Sequence, residues 1–180
     1  MNKLIKYIKN RTYLSVLLPL LIAALMFIFT SCCTYSFTGS SVPKHLKTIA
    51  IPTASDRSGS GIPGLRENLT QQLINKFIDD NSLQVTNRTK ANAVIECTIT
   101  SVTDAPSIVS AGENVSQRRL TVNVHVVYKD LVKKVTVFDK NFSNYGDYEP
   151  GGAVNKREDA AKKAIDNITE DILLAVVSGW

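Results

Sequence analysis

The spacing Gly59-x-Gly61-x-x-Gly64, set just ahead of a helical pattern with Asp79 and Asp80 beyond it, is the arrangement in this chain closest to a chemical motif. In a dinucleotide site such glycines let the backbone approach a pyrophosphate at a helix N-terminus. The context argues otherwise: the preceding strand reads as ending near Pro52, and the later strands form a meander rather than a second βαβ unit. The glycines therefore read as a flexible loop. Nucleophilic catalysis lacks its usual base, because the two histidines are His45, in a tether, and His125, on the polar face of a strand. Cys97 and His125 have no spaced second pair of ligands for a metal, and the carboxylates fall singly or at exposed helix and turn positions. Cys97, with no basic neighbour in sequence, reads as a small core residue. The expectation is a protein that is not an enzyme and needs no cofactor.

Basic doublets remain. Arg118-Arg119 opens a strand, Lys133-Lys134 lies at a turn, and Lys162-Lys163 rides on a helix, where a solvated face is the ordinary reading. If the strands between them pair as a hairpin, Arg119 and Lys133 or Lys134 come near one sheet edge. Arg118, Arg119, Lys133 and Lys134 are thus the candidate contacts for phosphorylated lipid or an acidic partner surface.

The net charge of +5 does not point to nucleic acid. Lys3, Lys6, Lys9 and Arg11 sit in an acid-free N-terminal stretch, and without them 17 basic residues face 16 acidic ones. Binding to a phosphate backbone needs a basic face on the folded domain, so no nucleic-acid partner is expected. After the basic stretch, Leu14 to Phe29 is an apolar run that stops at Thr30-Ser31-Cys32, the layout of a secretory signal and short for a stable membrane span. Phe29-Thr30-Ser31-Cys32 looks like a relaxed lipobox, in which the Cys32 thiol takes the diacylglycerol and becomes the first mature residue. Cys33 is a competing thiol. Acyl chains anchor a nearly neutral domain without any other membrane device. The expected organisation is a lipoprotein signal peptide over 1–31, a lipidated N-terminus and tether over 32–45, and one domain over 46–180.

The elements that must carry these residues follow from periodicity. Leu46 to Pro52 reads as a short strand. Pro63 then opens a helix over about 62–80, with Leu65, Leu69, Leu73 and Phe77 on one face and Asn81-Ser82 closing it. Ala93 to Thr100 alternates apolar and polar, as does Arg119 to Val126, and Val135 to Phe142 follows a turn at Lys129-Asp130 or Lys133-Lys134. A capping box at Asn155 to Glu158 starts a helix whose stripe runs from Ala161 to Val176 and ends at Gly179. The order β-α-β-β-β-α argues an α+β fold with two helices packed on one face of a mostly antiparallel four-stranded sheet.

Taken in order, several stretches resemble the lipopolysaccharide-assembly lipoprotein family, LptE. They are Cys32 with Tyr35-Ser36-Phe37-Thr38-Gly39, Leu46 to Pro52, Gly64 to Leu69, Ala91-Asn92-Ala93, Thr98-Ile99, Gln117-Arg118-Arg119 and the run around Phe142. Cys33 and Cys97 depart from it, standing where glycine is expected. The resemblance implies two helices against a four-stranded sheet in an outer-membrane lipoprotein facing the periplasm. Such a protein plugs and helps assemble an LptD-type β-barrel and assists lipopolysaccharide delivery to the outer leaflet. It carries over no lipid-contacting residue. The competing expectation is another periplasmic interaction lipoprotein, for example a CsgG-like component of a secretion channel.

Overall fold

The computed structural model describes residues 42–109, 115–151 and 155–178. In chain order the elements are β1 (Thr48–Ala50), β2 (Ser55–Asp56), α1 (Leu65–Asp80), β3 (Gln84–Val85), β4 (Ala93–Val109), β5 (Val115–Asp130), β6 (Val135–Tyr148) and α2 (Asn155–Ser178). The signal and the lipidation assignment at Cys32 lie outside the described residues.

Three long strands dominate, and the middle one alternates strictly. On β5, Leu120, Val122, Val124, Val126 and Tyr128 are fully buried while Arg119, Thr121, Asn123, His125 and Val127 face outward. β4, β5 and β6 pair antiparallel, and the sheet order is β3-β1-β4-β5-β6 with β2 also against β4. The short strands β1, β2 and β3 all attach in parallel. The fold class is α+β as expected. Among the described residues six strands stand where four were expected, because β2 and β3 are two residues each, too short to leave a periodic pattern.

The long strands also outrun their expected ends. β4 continues through Pro106, which pairs with Arg118 beside a register shift. Its other neighbour, β2, has already ended opposite Ile99, so the missing N–H costs no ladder bond. α1 starts later than periodicity suggests, at Leu65 rather than 62. Gly64 has φ 68°, a left-handed conformation outside a helix, which leaves Pro63 in the preceding turn. Asn81, at φ 56°, closes α1 by donating its N–H to Phe77 O at 3.1 Å.

One apolar cluster joins the inner face of the sheet to Leu65, Leu69, Leu73 and Phe77 of α1 and to Ala161, Ala164, Ile165, Ile168, Ile172 and Val176 of α2. Lys76 ties the helices together, 2.9 Å from Glu170 and 3.3 Å from Asp166. Among the described residues no helix packs on the opposite face of β4, β5 and β6. His45 belongs to this domain rather than to a free tether: its Nε2 lies 2.7 Å from Oδ2 of Asp130, which is 1% exposed, and Leu46 beside it is buried.

Candidate functional site

The four candidate cations do not converge. Arg118 and Arg119 sit early in β5, whereas Lys133 and Lys134 occupy the turn after Asp130, so about 40 Å of strand separates the pairs at ~3.3 Å per residue. The turn falls at 131–134, the second of the two expected places. Antiparallel pairing brings Arg118 and Arg119 next to Tyr148 and Asp147, at the end of β6 rather than its beginning. That is the geometric reason the shared-edge expectation fails.

At the first end the two arginines point to opposite faces. Arg118, on the helix side, donates Nε to Asp104 Oδ1 at 2.8 Å and Nη2 to the Asp104 carbonyl at 3.1 Å. The second carboxylate oxygen accepts from Tyr148 Oη at 2.6 Å and from Nε of Arg157, on α2, at 3.3 Å. Burial raises the Asp104 pKa, but the hydrogen bonds from Tyr148, Arg118 and Arg157 outweigh it and hold the carboxyl below its usual range. Arg119, on the open face, grips Asp147 with two bonds of 2.8 and 2.9 Å, and its guanidinium lies 3.6 Å from the centre of the Tyr145 ring. The Arg119 hydrogen bond holds Asp147 low as well.

These depressed carboxyls set the sign of the acid response. A carboxyl lowered by folding contributes stability above its unfolded value, here near 3.8, and loses it as pH falls through the lower folded value. The domain is therefore expected to keep its urea midpoint from pH 7 to pH 5 and to lose stability below about pH 4. Asp104→Asn should flatten that acid limb while costing about 2 kcal/mol at pH 7, since it weakens the partner of two guanidinium groups. Urea melts of both proteins across that range check it; parallel acid limbs would show that Asp104 does not carry the effect.

Charged side chains of the open sheet face stand beside partners on neighbouring strands and loops. Lys129 and Arg88 flank Glu96 at 2.6 and 2.9 Å, His125 lies 2.6 Å from Asp139, and Arg119 holds Asp147. The Lys129 hydrogen bond is the main cause that keeps Glu96 below its usual pKa. Between these pairs stand Thr98, Asn123, Asn141 and Ser143, with the Asn123 amide donating to Ser101 Oγ at 2.9 Å. The alternation of β5 showed which residues face outward. It did not show that acids on β4 and β6 neutralise them, because cross-strand partners depend on register.

At the far end, Asp130 organises the turn. Its Oδ1 accepts from the N–H groups of Val132 and Lys133, both at 2.8 Å, while its Oδ2 meets His45. Lys134 closes the turn at φ 58°.

A family model described as lipopolysaccharide-assembly, LptE, matches residues 46–176. The chain belongs to that family. No curated protein sequence matches the chain. Among solved structures, a hypothetical protein from Chlamydia trachomatis superposes with a TM-score of 0.57 at 8% identity, covering 75% of this chain and 99% of that one. The rare lipoprotein B from Shewanella oneidensis gives 0.51 at 16%, covering 73% and 96%. A PelC dodecamer from Paraburkholderia phytofirmans gives 0.51 at 7%, covering 77% and 92%. At these identities the likeness is one of fold, and the fold by itself does not choose among assemblies.

The stretch that the LptE family model matches contains both ends of the hairpin and all four candidate cations. Within it, Cys97 is buried and its thiol is pushed up to about 12 by burial, the environment of a core residue rather than a reactive one. Gly59, Gly61 and Gly64 border open space, and Asp56 is taken up locally by Ser58, whose N–H and hydroxyl approach it at 2.8 and 2.7 Å. Among the described residues no helix is long and apolar enough to cross a membrane, and no cluster of side chains could hold a metal ion.

Proposed function

We propose that this chain is a non-enzymatic lipoprotein of lipopolysaccharide assembly, acylated at Cys32 after removal of residues 1–31 and held at the outer membrane with its domain toward the periplasm. In this reading the domain fills the lumen of an LptD-type β-barrel, helps that barrel assemble, and assists lipopolysaccharide on its way to the outer leaflet. The family match over residues 46–176 carries the reading.

The open sheet face gives it a physical basis. A barrel lumen is polar, and a plug must enter it without stranding charge. Burying an unpaired charge is costly, whereas a face whose charges are already paired and hydrogen-bonded meets a polar wall at little cost. Glu96 and Asp147 supply that pairing here, and Asp139 is hydrogen-bonded to His125. Because such a plug binds the folded barrel and not its unfolded chain, it stabilises the barrel by mass action.

Direct lipid contact divides the four candidate cations. Arg118 and Arg119 already hold carboxylates, so a phosphate would have to displace Asp104 and Asp147. Lys133 and Lys134 are exposed and make no ion pair among the described residues. Affinity purification of the intact lipoprotein from detergent-solubilised envelope tests the reading. A large β-barrel should co-purify in near one-to-one ratio, and mass spectrometry of the mature N-terminus should find the diacylglycerol on Cys32 with residues 1–31 removed. Recovery of the protein alone, or as a ring of itself, would overturn the plug and favour a component of another secretion channel.

A further inference from the structure

Five of the eight lysines and arginines that make no ion pair among the described residues lie at one end of the domain: Lys44, Lys47, Lys90, Lys133 and Lys134. A knot of hydrogen bonds centred on Asn92 holds them there. Its side-chain oxygen accepts from the Lys47 N–H at 3.2 Å, its carbonyl accepts from the Leu131 N–H at 2.8 Å, and the Lys90 carbonyl accepts from Thr48 Oγ1 at 3.3 Å. The nearby carboxylates are occupied, Glu96 by Arg88 and Lys129 and Asp130 by His45. The same end carries Val132 and Val135 on either side of the turn lysines, 53% and 50% exposed, two of the five large exposed apolar side chains of the described domain.

This is also the end at which the N-terminal segment joins the domain. Val42 packs against the core, and His45 is bonded to the aspartate of the turn. Cys32 lies ten residues ahead of Val42, a reach of at most about 35 Å. We propose that this basic end is a membrane-facing surface that rests on anionic phospholipid headgroups of the leaflet holding the acyl chains. The lysines lie at phosphate level, and Val132 and Val135 enter the interface. The inference rests on acylation at Cys32. It adds an orientation that the plug reading lacks: the β5–β6 turn lies at the membrane surface, and the Arg118–Arg119 end points away from it.

The diacylglycerol already anchors the chain, and clustered basic residues beside it hold the domain against the surface, with each lysine near an anionic surface contributing about 1 kcal/mol. The test uses the full acylated chain with Val132→Trp as a probe and Trp180→Phe to remove the native indole. It is reconstituted into vesicles of phosphatidylethanolamine and phosphatidylglycerol with brominated acyl chains. The probe should shift to the blue and be quenched. It should remain unquenched in phosphatidylcholine vesicles, and Lys133→Gln with Lys134→Gln should lower occupancy of the bound pose about thirtyfold. Protein that floats with the anionic vesicles while the probe stays in water would overturn the proposal and leave the anchor standing. Protein that does not float would overturn both. Quenching that appears only when lipopolysaccharide is added would assign the surface to that lipid and overturn the phospholipid contact.

Discussion

Gly146→Val is expected to cost the domain about 3 kcal/mol and to lower its melting midpoint by roughly 10 °C. Gly146 lies on the inner side of β6 opposite Leu120, at the place where α2 comes down onto the sheet. A Cβ built there overlaps the carbonyl oxygen of Ala160 and comes too close to the Ala160 carbonyl carbon and Cα. All three atoms are backbone, so no side-chain rotation relieves the clash. The helix itself must move. Its first turns carry Ala160, Ala161 and Ala164, small enough for close approach, and its later turns carry Ile165, Ile168 and Ile172, fully buried in the shared core. Lifting α2 at Gly146 therefore loosens contacts well beyond it. Urea unfolding of both proteins measures the effect: the midpoint should fall while the slope stays constant. An unchanged midpoint would mean that α2 does not pack on β6 in this way.

The second large effect is expected at Asp130. Asp130→Ala removes one carboxylate that serves three donors, two turn N–H groups and His45, and should destabilise the domain by about 3 kcal/mol. Asp130→Asn keeps a side-chain oxygen for the turn and loses only the charge, so it should cost less than half as much. Burial pushes the Asp130 pKa up, but the hydrogen bonds from His45, Lys133 and Val132 prevail and hold it below the usual carboxylate value. Its contribution is accordingly present above the unfolded value near 3.8 and disappears as pH falls through the lower folded value. The local consequence is as informative as the global one. With His45 released, amide exchange in residues 42–46 should accelerate in Asp130→Ala before the β5 core exchanges faster. Equal acceleration in both would show that the N-terminal segment is held by the core alone.

The two variants bear on function through position. Gly146 stands near the Arg118–Arg119 end, where α2 reaches Asp104 through Arg157. Asp130 stands at the end where the N-terminal segment docks. A barrel partner recognised through the open sheet face should still bind Asp130→Asn, because the cross-strand pairs of that face are untouched. Retained barrel recovery with altered attachment of residues 42–46 would separate the docking of the N-terminus from the plug surface.

What the sequence determined by itself was whatever a short window can encode. The four-residue recurrence of Leu65, Leu69, Leu73 and Phe77 marks α1, and the alternation from Arg119 to Val126 marks the sides of β5, because side-chain direction repeats with local backbone geometry. Composition separated the basic N-terminal stretch from a nearly neutral remainder, and the order of short stretches pointed to the family. Tertiary structure decided everything that depends on register and on partners distant in sequence. The two-residue strands β2 and β3 exist only because β4 and β1 offer them an edge. β4 runs through Pro106 only because its other neighbour has already ended there. Arg119 and Lys133 or Lys134 read as lying near one sheet edge, yet antiparallel pairing sends them to opposite ends. His45 read as tether, yet a buried aspartate 85 residues later holds it. The carboxylates that meet the basic side chains of the open face lie on other strands, so no window of the sequence could reveal these pairs.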